Sequence, residues 1–334
     1  MSGPSATIVI MTAGVARRVG PVEVLALVLV AALGLRVLGV DPLVTPQLRV
    51  GATVFVAVVV QALPFLVLGV LLSGLLTAYV SPAVLRRFLP ARAGPAVPVA
   101  VAAGVVLPGC ECASVPVARR LIARGVPDAV ALAFLLAAPA VNPVVLVATA
   151  VAFPDAPEMV GARFLGSCLT AAVVGWIWVR VGRAEWIAER VRRVPAPDDG
   201  PRWRVAAATA RHDLVDAGGF LVLGGLAAAA LTTLVPASWT AGLGEQLVLA
   251  VLVMAVLAVV MSLCSEGDAF VAASLSALPL LPRLVFLVVG PAVDLKLIAL
   301  QAGTFGRGFA ARFAPLTFVV AVVCAVVAGL VVGL

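Results

Sequence analysis

The sequence predicts an all-α polytopic membrane protein built from two inverted repeats, each with three spans and a re-entrant hairpin, plus one extra N-terminal helix. Three observations carry that reading. Of the 334 residues, 63% are hydrophobic and 12% charged, with a mean hydropathy of +1.20, about half the charge of a soluble globular domain. The apolar residues fall in long runs, most of them near the ~20 residues that cross a bilayer as a helix. Short motifs in the first half recur in the second. A soluble enzyme, a disordered chain and a coiled coil are excluded by the first two observations.

The runs are Val22–Leu38, Val50–Val80, Val97–Leu107, Asp128–Phe153, Val160–Val181, Leu214–Val235, Leu247–Leu263, Leu284–Gln301 and Pro315–Leu334. The first follows Arg17 and Arg18 without a clear small-residue cleavage site, so it reads as a retained helix. Residues 1–21 are expected to form a mobile tail, 22–49 the extra helix and its loop, and 50–181 the first repeat. Residues 182–213 are a basic cytoplasmic linker, and 214–334 the second repeat.

The duplication rests on three matches in constant order, at offsets of 152 to 155 residues. Phe65-Leu66-Val67-Leu68-Gly69 recurs from Phe220 to Gly224, Cys110 as Cys264, and Pro139-Ala140-Val141-Asn142 as Pro291-Ala292-Val293-Asp294. The net charge of +7 resembles a nucleic-acid signal, but the basic residues lie between apolar runs. They therefore mark the cytoplasmic face, and no nucleic-acid partner is expected. Arg183, Arg190, Arg192, Arg193, Arg202, Arg204 and Arg211 place the linker inside, and the acidic turn at Asp155 and Glu158 outside. If Val97–Leu107 crossed fully, Arg86, Arg87 and Arg92 would face opposite to Arg119, Arg120 and Arg124. If it dips in and returns, both clusters lie inside and only Arg283 is misplaced. Each half then crosses an odd number of times, so the copies are inverted, as in secondary transporters. The expected location is a bacterial-type cytoplasmic (inner) membrane, multi-pass, with the N-terminus inside.

At each hairpin tip a polar cluster interrupts apolar sequence: Pro108-Gly109-Cys110-Glu111-Cys112-Ala113-Ser114 and Ser262-Leu263-Cys264-Ser265-Glu266-Gly267-Asp268. An ionisable group at membrane depth costs roughly 2.5–3.5 kcal/mol on insertion scales, so it marks a cavity or a partner. If the tips meet, Cys110, Cys112, Cys264, Glu111, Glu266 and Asp268 converge. That set suits a divalent transition metal, or a thiophilic metalloid held by the cysteines alone. Ser114 and Asp268 are read as N-caps of the short helices that follow, with Ser265 beside them at the second tip. Asn142 and Asp294 occupy equivalent positions in spans broken by Pro139, Pro143, Gly290 and Pro291. Lys296 is the only lysine. It partners Asp294 if the helix is unwound there, and otherwise snorkels to the interface. Cys168 and Cys324 read as packing residues, Asp213 and Asp216 as acids at a helix start, and His212 as solvated.

At Pro108 to Leu146, PGCECASVPVARRLIARGVPDAVALAFLLAAPAVNPVVL is similar to the signature of the permeases that include YraQ and the ArsP organoarsenical efflux permeases. CSEGDAF from Cys264 and GPAVDLK from Gly290 agree with it. The resemblance covers nearly everything from about Val50 to Leu334. It implies an inner-membrane permease and, in the ArsP branch, export of trivalent arsenicals through cysteine contacts, onto which Cys110, Cys112 and Cys264 fall. Glu111 stands where ArsP-like members tend to have serine, which leans toward a metal cation. The leading expectation is a secondary permease, not an enzyme, for a soft solute. A divalent metal ion is favoured slightly, ahead of organoarsenical efflux and of a thiol–disulfide redox enzyme using Cys110 and Cys112. No cofactor is required beyond a transition-metal ion as substrate. Lipid and a small inorganic or organometalloid solute are the expected partners, with room for a homo-oligomer or an accessory membrane protein.

Overall fold

The computed structural model describes residues 46–79, 92–106, 111–192, 201–234, 246–265, 267–276 and 278–334. The expected tail and nearly all of the extra helix lie outside these residues. Every regular element among the described residues is helical. In chain order the α-helices are α1 (Pro46–Tyr79), α2 (Ala93–Val106), α3 (Glu111–Ala123), α4 (Asp128–Ala140), α5 (Pro143–Ala152), α6 (Glu158–Val181) and, after a 3-10 turn at Ala184–Trp186, the single turn α7 (Glu189–Arg192). Then follow α8 (Arg202–Leu234), α9 (Leu247–Met261), α10 (Asp268–Ser274), α11 (Leu280–Ala292), α12 (Leu295–Thr304) and α13 (Arg307–Val332).

Five stretches are long and apolar enough to cross a membrane: Arg49–Leu75, Asp128–Ala152, Glu158–Val181, Leu280–Thr304 and Arg307–Val332. Burial sorts them. The α4–α5 and α11–α12 stretches are 78% and 83% buried, against 31–39% for the other three. The two broken helices thus form the centre, where a helix must be apolar all round. α1, α6, α9 and α13 turn residues such as Val60, Leu71, Val181, Val248, Val319 and Leu330 outward, an apolar surface suited to lipid. The chain is a polytopic helical membrane protein.

Several boundaries differ from the sequence reading. α8 begins at Arg202, so the last part of the 182–213 segment is helix, not linker. α11 begins at Leu280 and α13 at Arg307, ahead of the apolar runs at Leu284 and Pro315. Charged side chains are tolerated in such helix ends because they reach past the apolar zone. Arg283 donates to the carbonyls of Ser276 (3.0 Å) and Leu278 (2.8 Å) and so closes the turn before α11.

The two broken helices break in the same way. Pro139 and Pro291 sit inside the last turns of α4 and α11, and the breaks fall two residues later. Val141 N–H and Val293 N–H close those turns on the carbonyls of Ala137 and Val289. Asn142 Oδ1 then accepts from Val145 N at 3.1 Å, and Asp294 Oδ1 from Leu297 N at 2.6 Å, each capping the following helix. A side-chain oxygen at this position satisfies an otherwise orphaned N–H. Asn142→Ala should therefore cost about 1 kcal/mol of stability, read as a lower melting temperature of the purified protein in detergent.

Close approaches at two glycines set the central packing. A Cβ on Gly69 of α1 would lie 2.4 Å from Ala113 Cα of α3, and one on Gly224 of α8 would lie 2.4 Å from Lys296 Cα of α12. These are the glycines of the repeated Phe-Leu-Val-Leu-Gly segment. α1 and α8 pack antiparallel, with Gly74 against Ala206 and Ala210, and Gly225 against Phe55 and Val58. α6 and α13 do the same, with Gly166 against Ala325 and Ala328, while Trp178 meets Phe309 and Phe313 edge-on at 5.4 and 5.3 Å.

Candidate functional site

The centre of the molecule is an ionic cluster around Lys296, whose side chain is 1% exposed. Its position in the first turn of α12, next to the break, lets its ammonium return toward the second tip. Nζ lies 2.5 Å from Glu111 Oε1, at the start of α3, and 3.5 Å from Asp294 Oδ2. It also donates to the Ser262 carbonyl at 3.0 Å and to Cys264 Sγ at 3.6 Å. Cys112 lies within electrostatic reach of the same ammonium. Of the two alternatives for Lys296, the unwound backbone at Asp294 holds and snorkelling does not.

Ser262 is the only residue other than glycine with positive φ among the described residues (φ 48°, ψ 44°). The left-handed region costs a side chain roughly 1–2 kcal/mol. Here the turn lets α9 end abruptly while Ser262 Oγ donates to the Val259 carbonyl (3.0 Å) and accepts from Leu295 N (3.1 Å). The second tip is thereby tied to the start of α12. Glu111 Oε2 is buried and makes no hydrogen bond among the described residues.

The structure separates the expected set. Glu111, Cys112, Cys264, Asp294 and Lys296 come together. Asn142 is buried in the other break, its Nδ2 donating to the Ala138 carbonyl at 3.0 Å. Asp268 is not an N-cap: it is the first residue of α10, behind Gly267, and pairs with Arg163 at 2.8 Å. Ser114 is not an N-cap either. α3 already starts at Glu111, and Ser114 Oγ donates to the Glu111 carbonyl at 3.0 Å. Ser265 is buried, and its carbonyl accepts from Arg163 at 3.1 Å. Cys110 and Glu266 lie outside the described residues. No group of three or more His, Cys, Asp or Glu placed to hold a metal ion occurs among the described residues.

Two further buried ion pairs flank this centre. Arg163, fully buried in α6, reaches Asp268 and the Ser265 carbonyl with Nη2, and donates to Thr149 Oγ1 of α5 at 2.9 Å. Arg120 of α3 binds Asp213 of α8 through two hydrogen bonds of 2.7 and 3.1 Å. Arg119 lies 3.6 Å from the same carboxylate, and Ser73 of α1 donates to it at 2.7 Å. The apolar run from Leu214 makes Asp213 look like an acid at a helix start. It lies well inside α8 and is 2% exposed, because the helix extends back to Arg202. The side chain of Asp216 lies outside the description, and His212 is exposed. Sequence reasoning missed Arg163, though an arginine just inside an apolar span was the available signal.

Broken helices with charges buried beside the breaks are a recurring feature of membrane transport proteins. The comparisons agree and are more specific. Residues 47–330 match the predicted permease family ArsP_1, and the chain belongs to that family. It is 30% identical over 282 residues to a Streptococcus mutans protein described as a candidate two-component membrane permease complex subunit, covering 83% of this chain and 94% of the relative. It is 33% identical over 285 residues to the UPF0718 protein YcgR of Bacillus subtilis, covering 82% of this chain and 94% of that protein. No solved structure matches.

Proposed function

We propose that the chain is a secondary permease of the cytoplasmic membrane that moves a soft, thiophilic solute past Cys112 and Cys264, with the Lys296 cluster as its charge-compensating centre. The observation that supports this most is the contact of one fully buried ammonium with Glu111, Asp294 and Cys264 at a helix break. Thiols select soft solutes, and Cys110 would add a third. The two halves are taken as inverted copies, consistent with matched element order and matched breaks. The Arg-rich linker is taken as cytoplasmic.

Lys296 bears on which solute. An ammonium already set between the carboxylates opposes entry of a divalent cation, so the geometry favours an uncharged trivalent organometalloid bound by the cysteines. The divalent transition metal stays as the second reading, because Glu111 and Asp294 would become ligands if Lys296 swung away. Two carboxylates facing one ammonium also suit a coupling proton. By analogy with the Streptococcus relative's description, an accessory membrane protein would complete the assembly.

Proteoliposomes loaded with methylarsenite or with Zn²⁺ test this. We expect methylarsenite flux, reduced at least tenfold by Cys264→Ser and by Cys112→Ser. Zn²⁺ flux in its place would select the second reading. Flux of either solute that both serine variants leave unchanged would remove the cysteines from the site.

A further inference from the structure

We propose that Arg163–Asp268 and Arg120–Asp213 are the two gates of the permease, each closing the path to the Lys296 centre from one side of the membrane. The inference rests on the permease reading and adds residues that it does not use.

Antiparallel packing fixes where the pairs lie. At one end of the molecule α6 finishes, α8 begins and α12 passes into α13. There Trp178 packs on Phe309 and Phe313, and Ala188 N–H bonds the Phe305 carbonyl at 2.8 Å. α12 runs from Lys296 toward that end. α8 runs away from it, from Arg202 through Asp213 to Gly224, which touches Lys296. Asp213 is therefore on the Phe305 side of the centre, by about 16 Å along α8 at 1.5 Å per residue. Arg120 agrees, nine residues beyond Glu111 along α3.

Arg163 is on the other side. α6 places it beyond Gly166, which meets Val288 of α11 and Ala325 and Ala328 near the far end of α13. Asp268 Oδ2 lies 3.8 Å from the position of a Gly290 Cβ, one turn before the break at Asp294. The Lys296 centre thus sits between the two pairs along the helix axes.

Each pair also joins the two halves of the chain. Arg163 of α6 holds the second tip through Ser265 and Asp268. Arg120 of α3 holds α8, with Ser73 of α1 on the same carboxylate. Both pairs are almost fully buried. Breaking such a pair without admitting water leaves an uncompensated charge, so the pair opens together with a water path. Its ends then become solvated, and it closes again at low cost. Alternation needs that behaviour on both sides of a site, one side at a time.

The test reads access rather than transport. In right-side-out and inside-out vesicles, alkylation of Cys112 and Cys264 by a membrane-impermeant maleimide is followed by peptide mass spectrometry. Arg163→Ala should raise Cys264 labelling at least tenfold from one face, and Arg120→Ala should raise Cys112 labelling at least tenfold from the opposite face. Where an alanine variant does not accumulate, Asp268→Asn and Asp213→Asn, which keep side-chain volume, give the same reading. The swap Arg163→Asp with Asp268→Arg should restore protection. Increases from the same face, from both faces at once, or from neither overturn the gates. Side-specific labelling in vesicles that carry neither methylarsenite nor Zn²⁺ would leave the gates standing while the solute reading fails.

Discussion

Lys296→Met is expected to be the most damaging single substitution in the protein, lowering both the folded yield and the melting temperature. Methionine fills similar volume, so the loss is one of charge. It strands Glu111 and Asp294 beside each other in a site that admits almost no solvent, with the ammonium that lay between them gone. Removing one partner of a buried ion pair costs about 3–5 kcal/mol, a large share of the stability of any one domain. The double variant Lys296→Met with Glu111→Gln should recover much of the loss, because a neutral amide and an apolar chain leave fewer unpaired charges. Thermal unfolding of the purified proteins in detergent measures both. A Lys296→Met protein that melts with the parent would show that the cluster is not structurally important.

Gly224→Val should be nearly as severe, for a steric reason. The new Cβ would stand 2.4 Å from the Cα of Lys296, a backbone atom that cannot rotate aside. α8 would have to separate from α12, carrying the Lys296 backbone away from Glu111. Overpacking of this kind costs about 1–3 kcal/mol and more where backbone must move. Gly161→Ala is the matching control. Nothing lies within 4 Å of a Cβ there, and replacing a helix-interior glycine by alanine should be neutral or stabilise by up to about 1 kcal/mol. If Gly224→Val and Gly161→Ala melt alike, the close approach at Lys296 is not what holds α8 in place.

The helical membrane class was legible because apolar runs report lipid directly. The breaks were legible too, since Pro139, Asn142, Pro291 and Asp294 announce themselves by type. Tips read as meeting put Glu111 and Cys112 with Cys264, but that the break at Asp294 and Lys296 lies against both of them was not legible, because sequence does not say which elements pack on a broken helix. Partner choice was not legible. Asp268 could cap a helix or bind a charge, and only packing brings Arg163 within 2.8 Å of it. Asp213 looked superficial because an apolar run cannot show that α8 extends a further three turns toward Arg202. Ser262 gave no signal of its left-handed backbone, since serine is not a residue that demands it.

α12 has a mechanical consequence. Its first turn bears Lys296, and at its far end the Phe305 carbonyl holds Ala188, in the segment between α6 and α8. The ten-residue helix is a stiff rod about 15 Å long. A displacement of the connector at Ala188 would therefore load one end of this rod while the Lys296 backbone stands at the other. One short helix thus links a connecting segment between α6 and α8 to a charge that is almost wholly enclosed.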